Sequence, residues 1–204
     1  MATQQENLWD FEAVEPGQAG KSTVVKLTAE HISRYARTAQ NRDSRYVIQG
    51  LNKEFDGRMV PMPTMLLTYA PLLRDEIADN NGYIAVEESK TDRRQTPFAK
   101  CEAHWFKPVH EGDTLTANRK VLEKFEKRGN QFVTFRVEAT NQDNEKVAHF
   151  DYTCIFSYSK GQRDVPVEAG TAVPEIIDEQ TPTETVPTSE FVDFSSANIG
   201  DRLK

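Results

Sequence analysis

This sequence of 204 residues has few cysteines, no long apolar run and no excess of basic residues. It has no stretch of about 18 uncharged apolar residues, so we do not expect a membrane-spanning helix. Its first ten residues have neither the basic nor the apolar region of a secretory signal, and we expect a cytoplasmic protein. The wide spacing of Cys101 and Cys154 excludes a disulfide framework and argues against a metal site. We expect both thiols to be reduced and buried.

The acidic charge is concentrated at one end of the chain. The net charge is −7, yet residues 165–204 alone hold eight acidic side chains against Arg202 and Lys204. The rest of the chain therefore has nearly as many basic as acidic side chains. A nucleic-acid-binding protein needs a basic face that displaces counterions from phosphates, so we expect no nucleic-acid partner.

Residues 161–204 differ in composition from the rest of the chain. Four prolines stand among Thr, Glu and Ala between Val165 and Glu190, without a helical or alternating period. Such a segment buries too little apolar surface to offset its ordering entropy, so we predict an extended arm that is unfolded or docks on a partner. Residues 191–204 also echo residues 8–21 through the pattern Asp-Phe, five residues, Gly, three residues, Lys. If the echo is a true repeat, the arm holds the start of a second copy.

Two helices are predicted in the first half of the chain. Residues 28–39 have an apolar stripe at helical spacing, and Thr28 is a suitable N-cap. Residues 61–80 are more apolar, which predicts a buried helix. Pro71 lies inside this second helix and should kink it or confine regular helix to one side.

The second half of the chain is typical of β-strands. Four segments rich in β-branched and aromatic residues are separated by Gly- and Asn-containing turns, and they cover residues 101–109, 114–125, 131–140 and 146–158. Helices followed by an antiparallel meander predict an α+β domain in which the sheet wraps over one buried helix. We assign this domain to residues 8–160, with residues 1–7 as an N-terminal tail.

Several blocks of the sequence occur in an order that is typical of one protein family. The opening is Asp10-Phe11 followed by Gly17, and the helix that begins Leu27-Thr-Ala-Glu-His-Ile comes next. Val60-Pro-Met-Pro-Thr-Met-Leu is similar to the family's Ala-Pro-Pro-Thr-Phe-Leu helix start. Phe106-Lys-Pro-Val-His-Glu-Gly-Asp-Thr-Leu is similar to its His-Arg-Pro-Leu-x-x-Gly-Asp-x-Leu. Together these blocks resemble the N-terminal-type MaoC-like dehydratase domain over about residues 8–160. The resemblance implies a hotdog fold, a long central helix wrapped by an antiparallel sheet, usually in a dimer.

The resemblance also implies a chemistry. The family adds water to, or removes it from, acyl thioesters of coenzyme A or acyl carrier protein, and the thioester is a substrate rather than a resident cofactor. The developing enolate needs hydrogen-bond donors, which the helix start would supply through the backbone N–H groups of Thr64 and Met65. Met62 would contact the acyl chain, and Arg93 and Arg94 would bind the phosphates of coenzyme A.

The catalytic motif of the family is changed in this sequence. Active members have Gly-Asp-x-Asn-Pro-x-His after the first helix, and its Asp and His form the catalytic pair. Asn41 stands at the position of the Asp, and Tyr46 stands at that of the His. An amide cannot be a base, and a phenol with an ordinary pKa of about 10 is neutral at pH 7. Asp43 falls where the motif has Asn.

Three hypotheses follow. We favour a subunit of an enoyl-CoA hydratase or 3-hydroxyacyl thioester dehydratase that assembles with a MaoC-like subunit holding the Asp/His pair. The second is a self-sufficient hydratase, homodimeric or otherwise, that uses Asp43 as base and Tyr46 or a distant histidine as acid. The third is a thioester-binding scaffold without chemistry. A site filled by Arg45 and Tyr46 would favour the scaffold.

The four histidines give weaker signals. We expect His104 to pack in the core or at an interface and His110 to face solvent in its turn. His149 alternates with Asp151 and Thr153, which predicts a polar, solvated sheet face. No pair of histidines has zinc-ligand spacing, and we expect no metal.

Overall fold

The structure is a computed structural model that describes residues 6–156. Its helices are α1 Ala29–Thr38, α2 Ser44–Val47, α3 Leu66–Tyr69 and α4 Arg74–Asn80, with 3₁₀ turns at Lys53–Phe55 and Pro63–Met65. Its strands are β1 Leu8–Trp9, β2 Thr23–Lys26, β3 Ile84–Ala85, β4 Phe98–Trp105, β5 Thr114–Lys127, β6 Asn130–Thr140 and β7 Lys146–Ile155. The predicted end of the domain near residue 160 and the arm 161–204 lie outside the described residues.

Five antiparallel strands form the main sheet in the order β2-β5-β6-β7-β4. The hairpin between β5 and β6 turns at Arg128 and Gly129, which both have positive φ, 53° and 75°. This is the left-handed conformation of the tight hairpin turns whose twist matches that of the strands. β4 covers residues 98–105 rather than the predicted 101–109, because Pro108 has no N–H for a ladder. A short parallel pair, β1 with β3, was not predicted.

The main sheet has one apolar and one polar face. Alternate residues of its central strand β6 are fully buried, namely Val133, Phe135, Val137 and Ala139. On the opposite face, Arg136 forms a two-point ion pair with Asp151 on β7, at 2.6 and 2.7 Å. The helices pack on the apolar face, as the α+β prediction requires. Thr28 caps α1 as predicted, since its hydroxyl accepts the N–H of His31 at 3.2 Å.

The buried helix predicted over residues 61–80 is broken in two. A 3₁₀ turn leads into α3, which ends at Tyr69, and α4 starts only at Arg74. Pro71 lacks an N–H and cannot continue the helical hydrogen bonds. Leu73 then takes the left-handed conformation, with φ 47°, which redirects the chain. Pro71 therefore separates two helices, where the sequence predicted a kink or regular helix on one side only.

A fully buried arginine occupies the break. Arg119 on β5 is 1% exposed, and its side chain is on the same face as the apolar core. Its Nε donates to the carbonyl oxygen of Pro71 at 3.0 Å, and its terminal nitrogens reach the Thr23 hydroxyl at 2.6 Å and Glu76 at 3.4 Å. It also donates to the carbonyl oxygen of Lys21. The guanidinium thus binds backbone oxygens that the broken helix and the preceding loop leave without partners.

The apolar core has two parts, one under each half of the broken helix. One part surrounds Met65, Leu66 and Tyr69, against Leu115 and Phe150 of the sheet. The other surrounds α4 and contains the apolar side chains Trp9, Val14, Ile77, Val121, Phe135 and Phe156. Leu72, in the break itself, packs against both.

The two cysteines have different environments. Cys154 is buried as expected, and burial raises the pKa of its thiol to about 11. Cys101 is exposed, so the expectation that it is buried was wrong, because β4 is an edge strand. Among residues 6–156, no helix has the length and apolarity to cross a bilayer, and no group of three His, Cys, Asp or Glu is placed to hold a metal.

Candidate substrate cavity

A cavity of about 400 Å³ opens beside the start of the buried helix. It lies between the segment that follows α1 and the segment that follows β4. Apolar and aromatic side chains dominate its lining, and those that matter for its chemistry are Arg45, Tyr46, Met62, Tyr69, Trp105 and Phe106. The predicted positions Tyr46 and Met62 therefore meet at one cavity, although they are separated in sequence.

Asn41 holds the segment after α1 against the helix start. Gln40 leaves α1 in the left-handed conformation, and the N–H of Asn41 donates to Ala36 O at 2.9 Å. The Asn41 amide nitrogen contacts the sulfur of Met62 at 3.6 Å, and its oxygen accepts the N–H of Asp43 at 3.0 Å. This neutral amide orients the segment and has no basic atom.

The carboxylate of Asp43 has a structural role. It caps α2 by accepting the N–H of Arg45 at 2.9 Å, and it pairs with the Arg45 guanidinium at 2.6 to 3.1 Å. The hydrogen bonds from Arg45 hold the pKa of Asp43 below its ordinary value. Asp43 does not line the cavity. A carboxylate that is paired and has a lowered pKa is a weak base.

The cavity has two phenols. Tyr46 is partly buried, and the Arg45 guanidinium lies 5.5 Å from its ring centre. Tyr69 is 3% exposed, and burial raises the pKa of its phenol well above the ordinary value. Both phenols can donate a hydrogen bond to a carbonyl oxygen.

The two predicted oxyanion donors are not equivalent. The N–H of Met65 already donates to Met62 O at 2.9 Å, and the Met65 side chain is in the core. Met65 is therefore a poor donor for a substrate. The N–H of Thr64 has no acceptor among the described residues, and Thr64 is exposed.

Arg93 and Arg94 are far from the cavity. They precede the first residue of β4, whereas the cavity lies beyond its last residue, Trp105. Eight extended residues span about 25 Å. Arg94 is paired with Asp92, and its N–H donates to Val86 O at 2.9 Å. Within one chain, the structure does not bring these arginines to the cavity.

A second cavity, of about 370 Å³, lies between α1 and α3. Val25, Leu27, Met65 and Tyr69 give it apolar walls, and His31, Arg34 and Tyr35 come from one face of α1. The sequence did not predict this cavity. In the sequence, residues 31, 34, 35 and 38 have helical spacing, which indicates a polar and aromatic face of α1 beside its apolar stripe.

Comparison with known proteins identifies the family. Residues 16–150 match the model of the FAS1-like, dehydratase domain region. The chain belongs to this family of MaoC-like hotdog dehydratases. No curated protein matches the sequence.

Solved structures show the same fold at low sequence identity. The monoamine oxidase regulatory protein of Archaeoglobus fulgidus is 19% identical, with a TM-score of 0.56 over 76% of this chain and 98% of that one. The HadBC (3R-hydroxyacyl-ACP dehydratase) complex of Mycobacterium tuberculosis is 18% identical, with a TM-score of 0.51 over 70% and 99%. The (R)-hydratase PhaJ1 of Pseudomonas aeruginosa is 16% identical, with a TM-score of 0.51 over 79% and 96%. The hotdog prediction is confirmed.

Three of the histidines, His104, His110 and His149, lie outside the linings of both cavities, whereas His31 lines the second one. His110 is 9% exposed and packs on Phe55, with ring centres 5.0 Å apart, so the expectation that it faces solvent was wrong. Burial lowers its pKa. The 3₁₀ turn that covers it is distant in sequence. His104 is exposed rather than in the core, and its ring lies 4.9 Å from that of His149 on the polar face of the sheet.

Proposed function

We propose that this chain is the substrate-binding subunit of an acyl-thioester hydratase or dehydratase, and that a MaoC-like partner supplies the catalytic Asp and His. The substrate is an enoyl or 3-hydroxyacyl thioester of coenzyme A or acyl carrier protein. The proposal keeps the expectation of a cytoplasmic protein. It goes beyond family membership by assigning a binding role to this chain and the chemistry to its partner.

The cavity's lack of a base carries the proposal. The lining has no carboxylate and no histidine, and its polar side chains are two phenols and two cations. The cations, Arg45 and Lys107, are already paired with Asp43 and Glu145. Hydration requires a base that removes a proton from water as the carbon–oxygen bond forms, and an acid that protonates the neighbouring carbon. Nothing in this lining can do the first step near neutral pH.

A self-sufficient site built on Asp43 is disfavoured by the same geometry. The Asp43 carboxylate accepts hydrogen bonds from the backbone and the guanidinium of Arg45, and it lies outside the cavity lining. Release of this carboxylate would uncap α2. A site filled by Arg45 and Tyr46 would have favoured the scaffold hypothesis, but these side chains line a cavity of about 400 Å³.

The edge of the sheet supports a partner subunit. β4 is a full edge strand of eight residues, and Phe98 and Trp105 on it are 57% and 52% exposed. A long edge with exposed aromatic side chains is a strong site for pairing with another chain. The opposite edge, β2, has only four residues. Trp105 also lines the cavity, so a partner docked on β4 would be adjacent to the substrate.

Some structures with this fold are complexes of two subunits. HadBC of Mycobacterium tuberculosis is a dehydratase complex, and ChsH1-ChsH2 of the same organism, with a TM-score of 0.50 and 11% identity, is another complex. These names apply to those proteins. They make a hotdog partner a reasonable expectation for this chain.

A binding experiment tests the proposal. We expect saturated acyl-CoA thioesters to change the fluorescence of Trp105, and Trp9→Phe would remove the signal of the one other tryptophan. Trp105→Arg should block co-purification with a MaoC-like protein from the same genome that carries the Asp/His pair. The matched control is Lys120→Arg, on the polar face of β5. Binding of neither thioester nor partner would contradict the proposal.

A further inference from the structure

The two cavities meet at one side chain. Tyr69 lines the cavity beside Tyr46 and also the cavity beside α1, and it is the residue common to both linings. It is the last residue of α3, directly before the break in the buried helix. Tyr69 therefore borders a cavity of about 400 Å³ and another of about 370 Å³.

The Tyr69 ring is buried but not held by a hydrogen bond. It is 3% exposed, and its hydroxyl forms no hydrogen bond with residues 6–156, although the hydroxyl oxygen is not fully buried. An unpaired phenol between two cavities lacks the polar contact that would fix the ring in one place.

The second cavity suits an alkyl chain. Its lining includes the apolar side chains of Val25, Leu27 and Met65, and also His31, whose Nδ1 is buried without a hydrogen-bond partner. Arg34 and Thr38, which are exposed, form its outer edge. The guanidinium of Arg34 has no ion-pair partner among the described residues. Mostly apolar walls with a few polar groups are the features of a site that accepts the end of an aliphatic chain.

We propose that Tyr69 divides one acyl channel into a proximal and a distal half and thereby sets the length of acyl chain that the protein binds. This inference rests on the proposed function, because it takes the first cavity as the site of the thioester's acyl group. Chains that end before Tyr69 fill the proximal half. Longer chains reach the distal half only when the ring is displaced or removed.

A chain-length series tests this directly. The full chain is titrated calorimetrically with saturated acyl-CoA thioesters of increasing length. Each buried methylene should tighten binding by about fourfold, until the chain meets the Tyr69 ring and the affinity stops rising. Tyr69→Leu should extend the rise to longer chains and improve their binding at least tenfold over the wild type. Tyr69→Phe keeps the ring and should stop at the wild-type length.

A second variant separates the channel from a general loosening of the core. Val25 lines the distal cavity and not the proximal one. Val25→Phe in the Tyr69→Leu background should therefore restore the wild-type limit of chain length. If wild type and Tyr69→Leu both bind acyl-CoA thioesters with the same limit of chain length, the inference is overturned and the proposed function still stands. Absence of binding at every length, in folded wild type and variants, would overturn both.

Discussion

The two halves of the buried helix cover very different parts of the same sheet. Under α4, the rings of Trp9, Phe135 and Phe156 are in mutual contact, with centres 5.8 to 6.4 Å apart. Under α3, aromatic rings line cavities instead, and Trp105 and Phe106 are about half exposed. We call these the packed end and the open end. The packed end buries its aromatic rings against one another, and the open end has a cavity of about 400 Å³ beside exposed aromatic side chains.

The break in the helix makes this division possible. Arg119 binds the carbonyl oxygen of Pro71 between the two ends. An uninterrupted helix would extend one packing arrangement along the whole sheet. The break allows α3 and Tyr69 to be placed independently of α4.

The largest predicted effect is at the packed end. Trp9→Ala should lower the free energy of unfolding by about 3–5 kcal/mol, because it removes a fully buried indole and leaves a cavity. Phe106→Ala at the open end is the matched control and should cost no more than about 0.5 kcal/mol. Urea denaturation of the full chain measures both. Equal losses would contradict the distinction between the two ends.

The next effect is at the junction. Arg119→Met should lower the free energy of unfolding by about 1–3 kcal/mol, because Met fills similar volume but leaves the backbone oxygens of Lys21 and Pro71 unpaired. Lys120→Met on the same strand is exposed and serves as the control. If the two variants unfold at the same urea concentration, Arg119 does not stabilise the break.

A smaller effect is expected at Asp43. Asp43→Asn keeps an N-cap for α2 but loses the ion pair with Arg45, so the free energy of unfolding should fall by no more than about 1 kcal/mol. Activity of the assembled enzyme should stay at the wild-type level in a thioester hydration assay. Loss of all activity with an unchanged fold would restore Asp43 as the catalytic base.

The smallest effect concerns the N-terminal connection at the packed end. Glu6 accepts hydrogen bonds from Ser89 and Thr91, which lower the pKa of its carboxyl to about 2. Since the folded pKa is below the ordinary value of 4.5, this contribution to stability is complete above pH 4.5 and is lost as the pH falls toward 2. Glu6→Gln should flatten the pH dependence of the urea midpoint in that window. An unchanged pH profile would show that these contacts do not form in solution.

Local patterns predicted most of the sheet. β5, β6 and β7 begin and end within three residues of the predicted segments, because β-branched residues and Gly-containing turns are local signals. The break after Tyr69 was underestimated. Pro71 signals an interruption, but the left-handed conformation of Leu73 has no sequence signature and depends on tertiary contacts such as that of Arg119.

The site was only partly predictable. The resemblance placed Asn41, Tyr46 and Met62 near one another, and the structure brings Tyr46 and Met62 to one cavity with Asn41 in contact with Met62. Arg93 and Arg94 precede β4, whereas the cavity lies at the other end of this strand. The sequence does not show which end of β4 faces the cavity. Tyr69 belongs to the segment 61–80 that the sequence predicts as a buried helix. Its position between two cavities depends on α1, which is distant in sequence.

Hydration of enoyl-CoA thioesters, followed by the loss of enone absorbance, tests the central claim most directly. The purified full chain is assayed alone, then with a MaoC-like partner that carries the Asp/His pair, and again with a partner whose His is replaced by Ala. We predict no turnover by the chain alone, turnover in the mixture, and loss of turnover with the altered partner. Turnover by this chain alone would contradict the account, because its cavity would then contain a base.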